Sequence, residues 1–89
     1  IAAVVVVAAG FLLGISHTEW MVVMLCIGTV IAAELFNSAI ERLVDMVSPE
    51  WQKMAGEVKD IAAGALLVTA IVAAVVGIIV FLPYVAALL

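Results

Sequence analysis

From Ile61 to Leu82 the chain runs without a single charged residue. A stretch of this length and character is long enough to cross a bilayer core of about 30 Å as one helix. A segment in lipid must satisfy its own backbone hydrogen bonds, which leaves a helix as the form open to a short chain. Two further apolar runs precede it, so the sequence reads as three spans: residues 1 to about 15, about 20–47 and about 59–82. Of the 89 residues 70% are hydrophobic and 11% charged, with a mean hydropathy of +1.49. Soluble domains are nearer half apolar and a quarter charged. The fold class expected is therefore an all-α integral membrane protein of a single domain.

Polar residues mark where the spans turn. Ser16-His17-Thr18-Glu19 forms a short connection, in which Ser16 or Thr18 can cap the following helix and His17 is a solvated turn residue. Trp20 follows, a residue that favours the membrane interface. Ser48-Pro49 ends the second span and a polar segment from Glu50 to Val58 follows, with Trp51 as an interface anchor. The third span is entered through Lys59-Asp60, and Pro83 marks its far end. Arg42, Lys53 and Lys59 are the only Lys and Arg residues, and all fall near the connection between spans two and three. The positive-inside rule places that connection in the cytoplasm. Gly10 and Gly14 have the small-xxx-small spacing of close helix contacts. Cys26, the one cysteine, lies within an apolar segment and reads as a small buried hydrophobe; no zinc pattern or P-loop is present. A formal charge of −4 and a membrane setting leave no role for nucleic acid. Because the first residue is Ile and opens within an apolar run, further residues are expected upstream.

The chemistry is concentrated in Glu34-Leu-Phe-Asn-Ser-Ala-Ile-Glu-Arg-Leu-Val-Asp45. At 100° per residue, with Glu34 as origin, Asn37 falls at about 300°, Ser38 at about 40°, Glu41 at about 340° and Asp45 at about 20°. Five polar groups thus share one narrow helix face. Acids at the edge of hydrocarbon are costly unless paired, wetted or used, and default to functional candidates. Lys59 and Asp60 lie on the same side of the membrane, and Gly56, Asp60, Ala63 and Gly64 form a face with little side-chain bulk, open to a helix or a flat ligand. Phosphoryl transfer needs a carboxylate-held Mg²⁺ on the phosphates, a cation on the same charge, and a base facing the attacking hydroxyl. Glu34, deepest, suits the base toward a lipid hydroxyl. Glu41, further out, suits the metal and phosphates, with Asn37 and Ser38 orienting either partner. The bland alternative is that these groups bind one another and join helices. An ion- or proton-conducting oligomer lined by Glu34, Asn37 and Glu41 is a third possibility, although residues 21–33 offer only Cys26 and Thr29 to continue a polar path.

The motif Glu-x-x-Asn-Ser-Ala-Ile-Glu-x-x-x-Asp over residues 34–45, followed by Ala-Gly-Glu-Val-Lys-Asp-Ile-Ala-Ala-Gly-Ala over 55–65, resembles the signature of the prokaryotic diacylglycerol kinase family, which includes undecaprenol kinases. Lys59 stands at the family's spacing from Glu41, and the layout covers the whole chain. The resemblance implies a homotrimeric enzyme of the bacterial inner membrane that transfers the γ-phosphate of ATP, with Mg²⁺, to a lipid alcohol at the cytoplasmic face. It implies Glu34 as catalytic base, Asn37 as support for the catalytic centre, Glu41 as metal and nucleotide ligand, and Glu50, Lys59 and Asp60 as nucleotide-binding residues. Asp45 would hold the cytoplasmic end of its helix. Family members carry an N-terminal amphipathic helix that supplies a second metal-ligating glutamate; nothing before Ile1 corresponds to it, and a chain without it is expected to be impaired. Glu19-Trp20-Met21 and Phe81-Leu82-Pro83 are more similar to the undecaprenol branch than to the diacylglycerol branch.

Overall fold

A computed structural model describes residues 1–89 as three α-helices in a rod measuring 54 × 19 × 16 Å. Helix α1 is Ala2–Leu13, α2 is His17–Val47 and α3 is Lys53–Leu88. The termination of α1 follows from glycine chemistry. Gly14 takes φ 65° and ψ 50°, a conformation costly for residues with a Cβ, and its N–H donates to the Gly10 carbonyl. At 12 residues α1 is about 18 Å long, short of the hydrocarbon thickness. Gly14 is thus a helix stop rather than half of a helix-contact motif. Two helices, α2 and α3, have the length and hydropathy to cross a membrane.

Ser16 caps α2. Its Oγ accepts from the Glu19 N–H at 3.2 Å while the Ser16 N–H donates to Glu19 Oε1 at 2.9 Å, a reciprocal capping box. The helix then runs unbroken for 31 residues to Val47 and stops before Ser48-Pro49. α3 is longer than the sequence-based span at both ends. It starts at Lys53, so Lys59 and Asp60 lie well inside it rather than at its entry. Lys53, Met54, Ala55, Glu57 and Lys59 are good helix formers, and their polarity marks a water-exposed helix rather than a loop. It also continues through Pro83 to Leu88. In an apolar surrounding, leaving the helix would free several backbone groups where the proline removes one hydrogen bond.

α2 and α3 pack as an antiparallel hairpin. Val23 and Val80 are buried with Ile15, and Trp20, Phe81 and Tyr84 close over them. α1 is held by an aromatic contact: the Phe11 and Trp20 rings have centroids 4.9 Å apart at 52°, and the Trp20 ring lies across Gly10. A Cβ at Gly10 would stand 2.7 Å from Trp20 Cη2, so glycine there admits the indole. Lipid tails are as apolar as leucine, so this packing and a few polar contacts must hold the helices together. Two polar contacts join α2 to α3 at opposite ends, Tyr84 Oη donating to Glu19 Oε1 and Lys59 Nζ donating to Asp45 Oδ1 at 2.5 Å. Five of the 89 residues are buried, which leaves long apolar faces on all three helices for lipid or for other protein surfaces. The molecule is a membrane protein.

Candidate active site

Because α2 is continuous from His17 to Val47, the face carrying Glu34, Asn37, Ser38, Glu41 and Asp45 is a real stripe along one helix. Glu34 and Glu41 are two turns apart, about 10 Å along the axis, and Asp45 is about 6 Å further. Asn37 is half-buried within the stripe. Its Nδ2 donates to Glu41 Oε1 at a long 3.4 Å, so the amide steadies the outer carboxylate. Its Oδ1 is buried and has no hydrogen-bond donor, an unmet demand that polar atoms rarely carry in native structures.

Lys59 is brought to the stripe from α3 by the hairpin. Its ammonium meets Asp45 at 2.5 Å, with 38% of the Lys59 side chain and 67% of the Asp45 side chain exposed. A pair this wet can open at little cost, which leaves Lys59 available to another anion. Asp60, next in the chain, is exposed, as are Glu41 and Arg42. Glu50 lies in the connection, where its carbonyl accepts from Ser48 Oγ at 3.0 Å and its side chain is exposed. On α3, Gly64 meets no neighbouring atom, so that part of the small-residue face is uncovered within the chain. A Cβ at Gly56 would be 3.9 Å from the Trp51 indole nitrogen, so Trp51 partly covers the other part.

Glu34 occupies a different setting. It lines one end of a groove of about 530 Å³ walled by α1, α2 and α3, in which 14 of 16 lining residues are hydrophobic. It is the one carboxylate of that groove; Cys26, Val30, Ala73, Gly77 and Phe81 are among the other lining residues. The groove was not anticipated from the sequence. A partial signal existed, since Cys26, Val30 and Glu34 follow one another at the i, i+4 spacing of a helix face. Within the chain no three carboxylates or imidazoles converge into a metal-binding cluster. The oxygen-rich corner is Glu41 with Asn37 behind it.

The family description "Prokaryotic diacylglycerol kinase" matches residues 1–81. An undecaprenol kinase of Bacillus subtilis is 42% identical over 82 residues, covering 92% of this chain and 67% of that protein. A diacylglycerol kinase of Synechocystis is 38% identical over 81 residues, covering 90% of this chain and 46% of that protein. A diacylglycerol kinase of Escherichia coli is 39% identical over 46 residues, 52% of this chain and 38% of that protein. The chain therefore spans about two thirds of the Bacillus relative and less than half of the other two. No solved structure matches it. With the family match extending over nearly the whole chain, the sequence signature and the helical architecture meet in one conclusion: the chain belongs to the prokaryotic diacylglycerol kinase family.

Proposed function

We propose that the chain is the membrane-embedded domain of a lipid kinase, transferring the γ-phosphoryl group of ATP to the hydroxyl of a lipid alcohol, undecaprenol or diacylglycerol. The observation that carries this is the position of Glu34. It is a lone carboxylate at the end of an apolar groove, on the same helix face that continues outward to Glu41. A lipid tail in the groove would present its hydroxyl to a base, and the nucleotide would approach from the water-exposed end of the stripe. The names of the relatives support the same activity, and the greater coverage by the Bacillus undecaprenol kinase favours undecaprenol as acceptor.

In this mechanism the Glu34 carboxylate accepts the hydroxyl proton as the lipid oxygen attacks the γ-phosphorus. ADP leaves, and the proton stays on Glu34 until solvent removes it. A positioned base of this kind contributes about 10²–10⁴ in rate. Lys59 would exchange Asp45 for the phosphates, and Asp60 and Glu50 would border the nucleotide. Asn37 holds Glu41 in place through its Nδ2. Glu41 would be the chain's ligand to Mg²⁺, which supplies charge neutralisation on the phosphates when bound. The donor set fits that ion: Mg²⁺ is usually held by one or two carboxylates together with substrate phosphates, rather than by an all-protein cage.

The domain is proposed to span residues 1–89 with all three helices embedded, to form a homotrimer in the bacterial inner membrane, and to face the cytoplasm with Lys53, Lys59 and Arg42. The long apolar faces left on each chain support assembly or lipid contact. A conducting oligomer finds little support, since the Thr29 hydroxyl donates to the Leu25 carbonyl at 2.7 Å and so is already engaged. The test is Glu34→Ala, assayed with ATP, Mg²⁺ and undecaprenol in micelles alongside the oligomeric state. Loss of transfer by at least about 100-fold with unchanged assembly is expected. Full activity of this variant would refute the base assignment.

A further inference from the structure

The Lys59 end of the hairpin is crowded with charge, and its pairing is selective. From Glu34 to Asp60 the chain carries six acids and three cations. Of the cations, Lys59 alone makes an ion pair, and its partner at 2.5 Å is Asp45 on the other helix. Lys53 and Glu57 stand four apart on α3, a spacing that suits a pair, and make none. Asp45 continues the helix face of Glu41, about 6 Å further along the axis. Like charges at that spacing repel, and an ammonium placed on Asp45 offsets the repulsion. The Lys59 head is therefore parked one helical turn outside the carboxylate proposed to carry Mg²⁺. Its flexible four-carbon stem lets the head change anions without a shift of backbone.

We infer that Asp45 is a built-in competitor of the nucleotide: it occupies Lys59 when no phosphate is bound and takes Lys59 back as ADP leaves. The contact is autoinhibitory, since every phosphate that needs Lys59 must first displace a carboxylate of the same chain. This inference rests on the kinase function proposed above and adds regulation of the nucleotide site. The exposure of both side chains sets the size of the effect. Exposed pairs favour their closed form by a factor of about 1.4–5. Lys59 is then free for about one-sixth to two-fifths of the time. A ligand that needs it free binds about two- to sixfold more weakly than it would to a chain lacking the pair. A penalty of this size leaves ATP binding intact and shortens the stay of the product, which meets the same competition.

The pair itself supplies a test that needs no substitution. A carbodiimide joins a carboxylate to an amine in contact with it through an amide bond, so the pair is read as an Asp45–Lys59 cross-linked peptide by mass spectrometry. With the full-length polypeptide in nanodiscs, saturating AMP-PNP with Mg²⁺ should cut the yield of that peptide at least about threefold, and Mg²⁺ alone should not. Calorimetric titration then measures affinity. Asp45→Asn should bind AMP-PNP and ADP about two- to sixfold more tightly. Lys59→Met removes what the two anions compete for, so adding Asp45→Asn to it should change affinity by less than about 1.5-fold. Glu57→Gln removes the same charge from the same end, where it makes no ion pair, and should also stay within about 1.5-fold. Cross-linking unchanged by AMP-PNP, or lowered as far by Mg²⁺ alone, would overturn the proposal. So would weaker or unaltered binding in Asp45→Asn, or equal tightening in Glu57→Gln or in the Lys59→Met background. Loss of the cross-link without transfer to undecaprenol would sink the kinase function and leave the competitor standing. Transfer with the cross-link unchanged would do the reverse.

Discussion

Lys59 has two roles to separate, partner of Asp45 in the structure and proposed partner of the ATP phosphates, and their sizes differ enough to do so. Lys59→Met removes both, whereas Asp45→Ala removes only the ion pair. The pair is short, at 2.5 Å, but with side chains 38% and 67% exposed it is screened by water. Exposed pairs contribute about 0.2–1 kcal/mol. Both substitutions should therefore lower stability by no more than about 1 kcal/mol, equivalent to a melting shift under about 8 °C for a chain of this size. A cation placed on a transferring phosphoryl group is a larger matter, since removing one preorganised charge-stabilising donor costs about 10²–10³ in turnover. Lys59→Met should then lose at least about 100-fold in phosphoryl transfer, and Asp45→Ala should stay within about threefold of the unmodified protein. The assay is initial-rate transfer of labelled phosphate to undecaprenol at varied ATP, run beside thermal unfolding in detergent. Equal losses of activity in the two variants would refute the nucleotide role and reduce Lys59 to a strut between α2 and α3.

Other outcomes follow from particular contacts. Glu41→Gln should raise the Mg²⁺ concentration needed for half-maximal transfer by about tenfold or more, and EDTA should abolish transfer in the unmodified protein; a Mg²⁺ requirement left where it was would remove Glu41 from the metal. Gly10→Val forces its side chain against the Trp20 ring and should destabilise by about 1–3 kcal/mol, the usual cost of overpacking, with Trp20 fluorescence reporting the displaced indole. Tyr84→Phe removes the hydroxyl that Glu19 accepts, and should speed amide exchange at the C-terminal end of α3 while leaving the Lys59 end unaffected; exchange that rises uniformly would show that the two ends are not held independently.

What the sequence revealed was whatever depended on neighbours in the chain. The polar stripe needed only helical spacing, and the Ser16 cap and the break at Ser48-Pro49 are local chemistry. Features that join distant residues were not legible. Lys59 and Asp45 are fourteen positions apart across a bend, and Tyr84 and Glu19 are sixty-five apart. No pattern in either helix announces its partner, and Tyr84, following Pro83, read as part of a helix end. The early start of α3 was missed because polarity between spans was taken for a connection, when the same residues favour a helix projecting from the membrane. The Gly10–Gly14 spacing was legible, but its use was different: one glycine admits an indole and the other stops a helix. The groove beside Glu34 escaped because three helices build it and none of its walls is distinctive alone.

The two polar contacts at the ends of the α2–α3 hairpin make it behave as a ruler. Glu19 and Asp45 are about 39 Å apart along α2, and Lys59 and Tyr84 about 37 Å along α3. These near-equal lengths are joined at both ends, so while Lys59 holds Asp45 neither helix slides against the other without breaking both contacts, and when Lys59 lets go the Tyr84–Glu19 end alone keeps the register. Each length exceeds the hydrocarbon thickness of about 30 Å by roughly 8 Å. With both contacts made, a bilayer that thins or thickens is met by tilting the hairpin as one body rather than by shearing it. The depth of Glu34 relative to Lys59 then stays constant across membranes of different thickness, and what varies is how far the whole unit leans.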